Sequence, residues 1–174
     1  LMSGLALFSL KDPSLLAFDA RRTDETIKSI YHIGAIPSDT TMRKILDEVD
    51  PTALYPLFKK VLARLQRGKG LEDMVFYDGH YLVSNDGTGY FSSEKVHCAE
   101  CLIKKHHNGH TEYHHSFLGS VIVHPDRREV IPLCPEPIKN TDGGAKNDCE
   151  RNAGKRLLER FRREHPHLRA IVVE

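Results

Sequence analysis

Between Cys98 and His115 the chain places two thiols and five imidazoles in 18 residues: Cys98 and Cys101 as a Cys-x-x-Cys pair, then His106, His107, His110, His114 and His115. So few apolar side chains cannot order such a stretch by burial, and its donor atoms offer another route. Two soft thiolates and two imidazoles suit tetrahedral Zn²⁺, and Asn108-Gly109 supplies a turn that folds the second half back on the first. The segment reads as a small metal-ordered insertion; a surface thiol pair, or a His-rich loop that takes metal adventitiously, is the plainer alternative. No helix signal begins at the Cys pair, which argues against a thioredoxin-like redox role. Cys134 and Cys149 lie apart in sequence and read as small buried residues.

The rest of the chain has the means to fold by burial. Of 174 residues 40% are hydrophobic and 28% charged, so disorder is excluded as the main reading. The net charge of +1 gives no global field, but its distribution is uneven: residues 1–75 carry 11 basic and 10 acidic side chains, 76–138 carry 5 and 8, and 139–174 carry 9 and 6. A basic face is therefore expected at the C-terminal end. No apolar run approaches the roughly 18 residues of a spanning helix. Leu1 to Leu10 is apolar but lacks a basic leader region and a cleavage site, so it is not read as a signal peptide. Leu stands before Met at the start, and Glu174 closes an apolar run, Ala170 to Val173, that reads as a strand; both ends are expected to be cut.

Residues 1–67 read as a string of helices. Asp12-Pro13 is a cap followed by a first-turn proline, with Leu15, Leu16 and Phe18 on the buried side. Ile27, Ile30 and Tyr31 repeat at helical spacing, Ser38 caps a stripe of Met42, Ile45, Leu46 and Val49, and Leu54 to Leu65 form a longer stripe with a kink or late start at Pro56. After Gly68-Lys69-Gly70 the period changes. Tyr81 to Ser84 reads as a strand ending in a turn at Asn85 to Gly89, followed by strands at 116–123 and Glu129 to Leu133, a helix from about Asn147 to Glu164, and a strand from Arg169 to Val173.

Two further places carry chemistry. Asp86, at the end of its strand and followed by Gly-Thr-Gly, offers a carboxylate that a hard cation such as Mg²⁺ can reach, although Asp-Gly is also a common turn pair. The long helix opens with Asn147 or Asp148 as cap and Glu150 in its first turn. Its face carries six basic side chains in 13 residues, among them Arg151, Lys155, Arg156, Arg160 and Arg163, which suit phosphate contacts or a plain solvated surface.

Five pieces in order, Pro37 to Arg43, Asp86-Gly87-Thr88-Gly89-Tyr90-Phe91-Ser92-Ser93, the Cys98/Cys101/His106/His115 set, Glu129 to Leu133, and Lys146 to Asn152, resemble bacterial insertion-sequence transposases of the DDE type. The resemblance implies an α+β or α/β protein with two parts. Residues 1–70 would be a helical region that contacts DNA. Residues 71–174 would be the first half of a ribonuclease H-like core, in the order β-β-β-α-β, with a zinc insertion at 97–115 between its first and second strands. It implies metal-dependent DNA cleavage and strand transfer with two Mg²⁺ or Mn²⁺ ions, on double-stranded DNA, by a homodimer in the bacterial cytoplasm. Asp86 matches the first of three catalytic acids; the second falls immediately after Glu174, which reads as a neighbour of that acid rather than a substitute. Asn85 stands where an apolar residue is expected. The zinc set is Cys98, Cys101, His106 and His115, with His107, His110 and His114 as competitors. One acid of three implies no cleavage by residues 1–174 alone. A zinc-stabilised DNA-binding remnant that regulates without cutting is the alternative, and a His-Asn-His nuclease ranks below it because no helix follows the His pair.

Overall fold

The computed structural model of the protein describes residues 1–143 and 146–173, without the side chains of 146–148. The side chains of the candidate caps Asn147 and Asp148, and the terminal Glu174, lie outside what is described. The chain divides into two compact units, Leu1–Ala53 and Leu54–Glu174.

The first unit is helical: α1 (Met2–Ser9), α2 (Leu15–Asp19), α3 (Glu25–Ile30) and α4 (Asp39–Asp47). Ala6, Leu7, Phe18, Ile27, Ile33, Ile36 and Met42 form its core, with Leu15, Tyr31 and Leu46 packed against it. Side-chain caps fix where three of the helices start. Ser14, Asp24 and Ser38 each accept from backbone N–H groups of the first turn, the role expected of Ser38. The cap expected at Asp12 falls instead on Ser14, because the Asp12 carboxylate is held by the Arg21 guanidinium at 2.8–3.0 Å. The stripes are narrower than the sequence implies: Leu16, Ile30, Ile45 and Val49 are exposed.

In the second unit α5 (Tyr55–Arg67) places Pro56 in its first turn, where a missing N–H leaves no helical bond unmade. The unit boundary falls at 53/54 rather than 70/71 because α5 packs on the sheet: Leu62 is buried with Leu71, Met74, Val83, Ile122 and Leu133. The strands are β1 (Val75–Tyr77), β2 (His80–Ser93), β3 (Leu102–Lys105), β4 (Thr111–Val123), β5 (Ile131–Pro132), β6 (Glu136–Ile138) and β7 (Ala170–Val173), with α6 (Lys146–Glu164) before β7. β2 and β4 pair antiparallel from Leu82↔Val123 to Ser93↔Tyr113. Beyond β4 lie β3, β6 and β5, each antiparallel to it, and β7 joins β2 in parallel after the α6 crossover. The architecture is α+β, built on a largely antiparallel sheet.

The turn expected at Asn85 to Gly89 is absent, since β2 continues through it to Ser93. The tight turn is the other Asp-Gly pair, Asp78-Gly79, where both residues have positive φ (45° and 71°), the conformation a two-residue hairpin needs between β1 and β2. One face of the sheet, carrying Val83, Asn85 and Gly87 of β2 and Leu118, Ser120 and Ile122 of β4, packs against helices. Val83 and Ile122 meet α5 and Phe161 of α6, and Leu118 meets Cys149, Ala153 and Leu157. A Cβ at position 87 would meet the Glu150 carboxyl, the movable end of an α6 side chain that reaches over the strand. Among the described residues no helix is long and apolar enough to cross a membrane.

Candidate metal centre

Three elements converge at the open end of the β2–β4 ladder. The turn preceding β3 brings the Cys98 and Cys101 backbones together, with the Cys101 N–H donating to the Cys98 carbonyl at 3.3 Å and the Cys98 N–H reaching the Cys101 Sγ at 3.3 Å. The pairing Leu102↔His114 then sets Cys101 beside His115, which lies opposite Phe91 of β2. The two Sγ atoms are 3.7 Å apart, and each is 3.3 Å from His115 Nε2. A tetrahedral zinc with bonds of about 2.3 Å to sulfur and 2.0–2.1 Å to nitrogen requires S···S near 3.8 Å and S···N near 3.5 Å. The three donors thus stand almost at three corners of that tetrahedron. Cys101 is buried, Cys98 is exposed, and none of the four cysteines is in a disulfide.

Aromatic rings frame the group. A register shift between Gly89 and Phe91 sets Tyr90 out of the ladder, and its ring stacks on His115 at 5.9 Å and 18° and lies 5.7 Å from Phe117. Burial, then the neighbouring Cys98 and Cys101, push the Tyr90 hydroxyl above its ordinary range. A cleft of about 1180 Å³ passes the site, with Cys98 and Cys101 in its wall beside Tyr90, Phe91 and Leu102.

His106 is not part of this group. It follows β3, so an extended strand carries it roughly 16 Å from Cys101 at about 3.3 Å per residue. There its Nε2 meets Glu112 Oε2 at 2.8 Å, while Glu112 Oε1 accepts from the Ser92 hydroxyl. Those bonds, the Ser92 one foremost, hold the Glu112 carboxyl below the usual range. This carboxylate sits between serine and histidine, the wrong order for a nucleophilic triad, and acts as a clasp across the hairpin. Cys134 and Cys149 are buried as expected, and burial pushes the Cys134 thiol up to about 11.

Asp86 lies in the middle of β2 opposite Gly119, exposed, on the face away from α6. His115 is four residues further along β4 on that same face, a spacing of roughly 13 Å. Among the described residues no group of three His, Cys, Asp or Glu donors includes Asp86. Asn85 is buried at 5%, so an apolar residue is indeed what its position calls for.

The basic face of α6 divides in two. Arg151, Lys155 and Arg163 are exposed. Arg156 and Arg160 bind acids and carbonyls inside the fold. Arg156 binds Glu136 at 2.7 Å and both Asp142 oxygens at 2.5 and 2.9 Å. Arg160, 8% exposed, pairs with Glu136 at 2.8 Å, donates to the Pro135 carbonyl and lies 4.4 Å over the Tyr55 ring. The sequence signal for this is the acid pair Glu136 and Asp142 just before the helix. Comparison with known proteins finds no matching family model, curated protein or solved structure.

Proposed function

We propose that this chain is a zinc-stapled DNA-processing core of the transposase type, with a ribonuclease H-like arrangement of its sheet. Cys98, Cys101 and His115 hold Zn²⁺, which pins the turn before β3 to β4. Two thiolates and an imidazole at tetrahedral spacing favour zinc over the oxygen-seeking cations. Asp86 supplies one carboxylate toward Mg²⁺ or Mn²⁺, and Arg151, Lys155 and Arg163 contact phosphates of double-stranded DNA.

The observation that carries the reading is the setting of Asp86: an exposed acid on a central strand, flanked by antiparallel β4 on one side and by parallel β7, reached through α6, on the other. That order agrees with the first half of a ribonuclease H-like core. Metal-dependent phosphodiester chemistry needs several converging carboxylates, and around Asp86 the described residues bring no three donors together. This favours, for residues 1–174 by themselves, the second reading: DNA binding without cleavage.

Fluorescence anisotropy with a DNA duplex across a salt series tests the DNA reading. Three phosphate contacts give a slope of log K against log salt near −2.7, and substituting Arg151, Lys155 and Arg163 by Gln flattens it. A wild-type slope near zero would overturn it. Supercoiled plasmid incubated with the chain and Mg²⁺ or Mn²⁺ should stay intact; nicking that Asp86→Ala abolishes would overturn the non-cleaving reading.

A further inference from the structure

We propose that the zinc held by Cys98, Cys101 and His115 keeps an exchangeable fourth position open to the adjoining cleft, where it takes one small neutral or monoanionic donor. The inference rests on the zinc reading above.

The three donors fill three corners of a tetrahedron, and among the described residues no fourth His, Cys, Asp or Glu donor joins them. The remaining histidines of the region are placed elsewhere. His97 stacks on Tyr113 at 4.3 Å, with its Nδ1 3.3 Å from the Lys95 carbonyl. His106 is clasped by Glu112, and His110 Nδ1 lies 3.7 Å from Glu94. His107 sits with them past the far end of β3. His114 neighbours His115 on one strand, and alternation turns its ring to the opposite face of the sheet.

The surroundings favour access. Cys98 is exposed, and Cys98 and Cys101 are among the residues that line the cleft. Zinc sites closed by four protein ligands are structural, whereas three protein ligands with solvent in the fourth position leave room for an incoming group. Two thiolates already balance the charge of Zn²⁺, so a dianion gains no net attraction, while water, imidazole or azide can bind. Tyr90, stacked on the liganding imidazole, holds His115 against rotation as the fourth ligand exchanges.

The test uses the whole chain with Co²⁺ in place of zinc, titrated with imidazole and separately with azide. The expected result is a saturable shift of the cobalt d–d bands at one ligand per metal, with the thiolate charge-transfer bands retained. The same shift should appear in His97→Ala, His106→Ala and His110→Ala. Bands unmoved at saturating imidazole and azide would overturn the open position and leave the zinc reading intact. Loss of the charge-transfer bands would mean that a cysteine is displaced, which also overturns it. Failure of the chain to take up cobalt or zinc at all would remove the site and this inference with it.

Discussion

Replacing Asn85 by valine should stabilise the protein. Asn85 is 5% exposed on the helix-facing side of β2, directly across from Ser120, which is 3% exposed. Neither amide atom of Asn85 has a hydrogen-bond partner, and neither does the Ser120 hydroxyl. A buried polar group left unpaired costs about 1–3 kcal/mol, and a β-branched side chain suits a strand interior. The added bulk of valine opposes this by up to about 1 kcal/mol if the neighbours cannot adjust. The net expectation is a gain of about 1–2 kcal/mol, or roughly 2–8 °C in Tm for a chain of this size. Ser120 is the poorer target, because it borders a cavity of about 10 Å³, close to the room one water needs. Urea denaturation followed by circular dichroism reads the change directly. An unchanged or lowered midpoint at equal slope would refute the argument, since it would mean that the Asn85 amide is already satisfied.

Arg160→Ala removes one of the two guanidinium partners of the nearly buried Glu136 carboxylate, with Arg156 remaining, together with a ring contact to Tyr55, and should cost about 2 kcal/mol in the same denaturation assay. His106→Ala should leave the metal content unchanged, measured by elemental analysis, because its imidazole serves Glu112. Hydrogen bonds from Arg156 hold the Asp142 carboxyl below its ordinary range. Its contribution to stability is therefore full above about pH 4 and is lost as the pH falls through that lowered value, so Asp142→Asn should flatten the acid limb of the stability curve.

How much of this was legible in the sequence depended on whether the deciding contact was local. Ser38 capping α4, the late start of α5 at Pro56, and the long amphipathic α6 followed from neighbours within a turn or two. The two Asp-Gly pairs were not separable that way. Asp78-Gly79 makes the hairpin turn and Asp86-Gly87 lies inside a strand, because pairing with β4, which follows β2 by some twenty residues, holds the second pair extended. Cys98, Cys101 and His115 were all in the candidate set. What chose His115 over His106 was strand register, which puts Cys101 next to one and carries the other to the hairpin tip. Arg156 and Arg160 looked like their exposed neighbours on α6 because the acids that claim them come from β6 and the loop after it.

Zinc analysis of the purified chain and its single variants bears most directly on the metal centre. The account predicts about one equivalent in the wild type, lost in Cys98→Ser, Cys101→Ser and His115→Ala. A wild type without zinc, or full retention in any of those three variants, would contradict it.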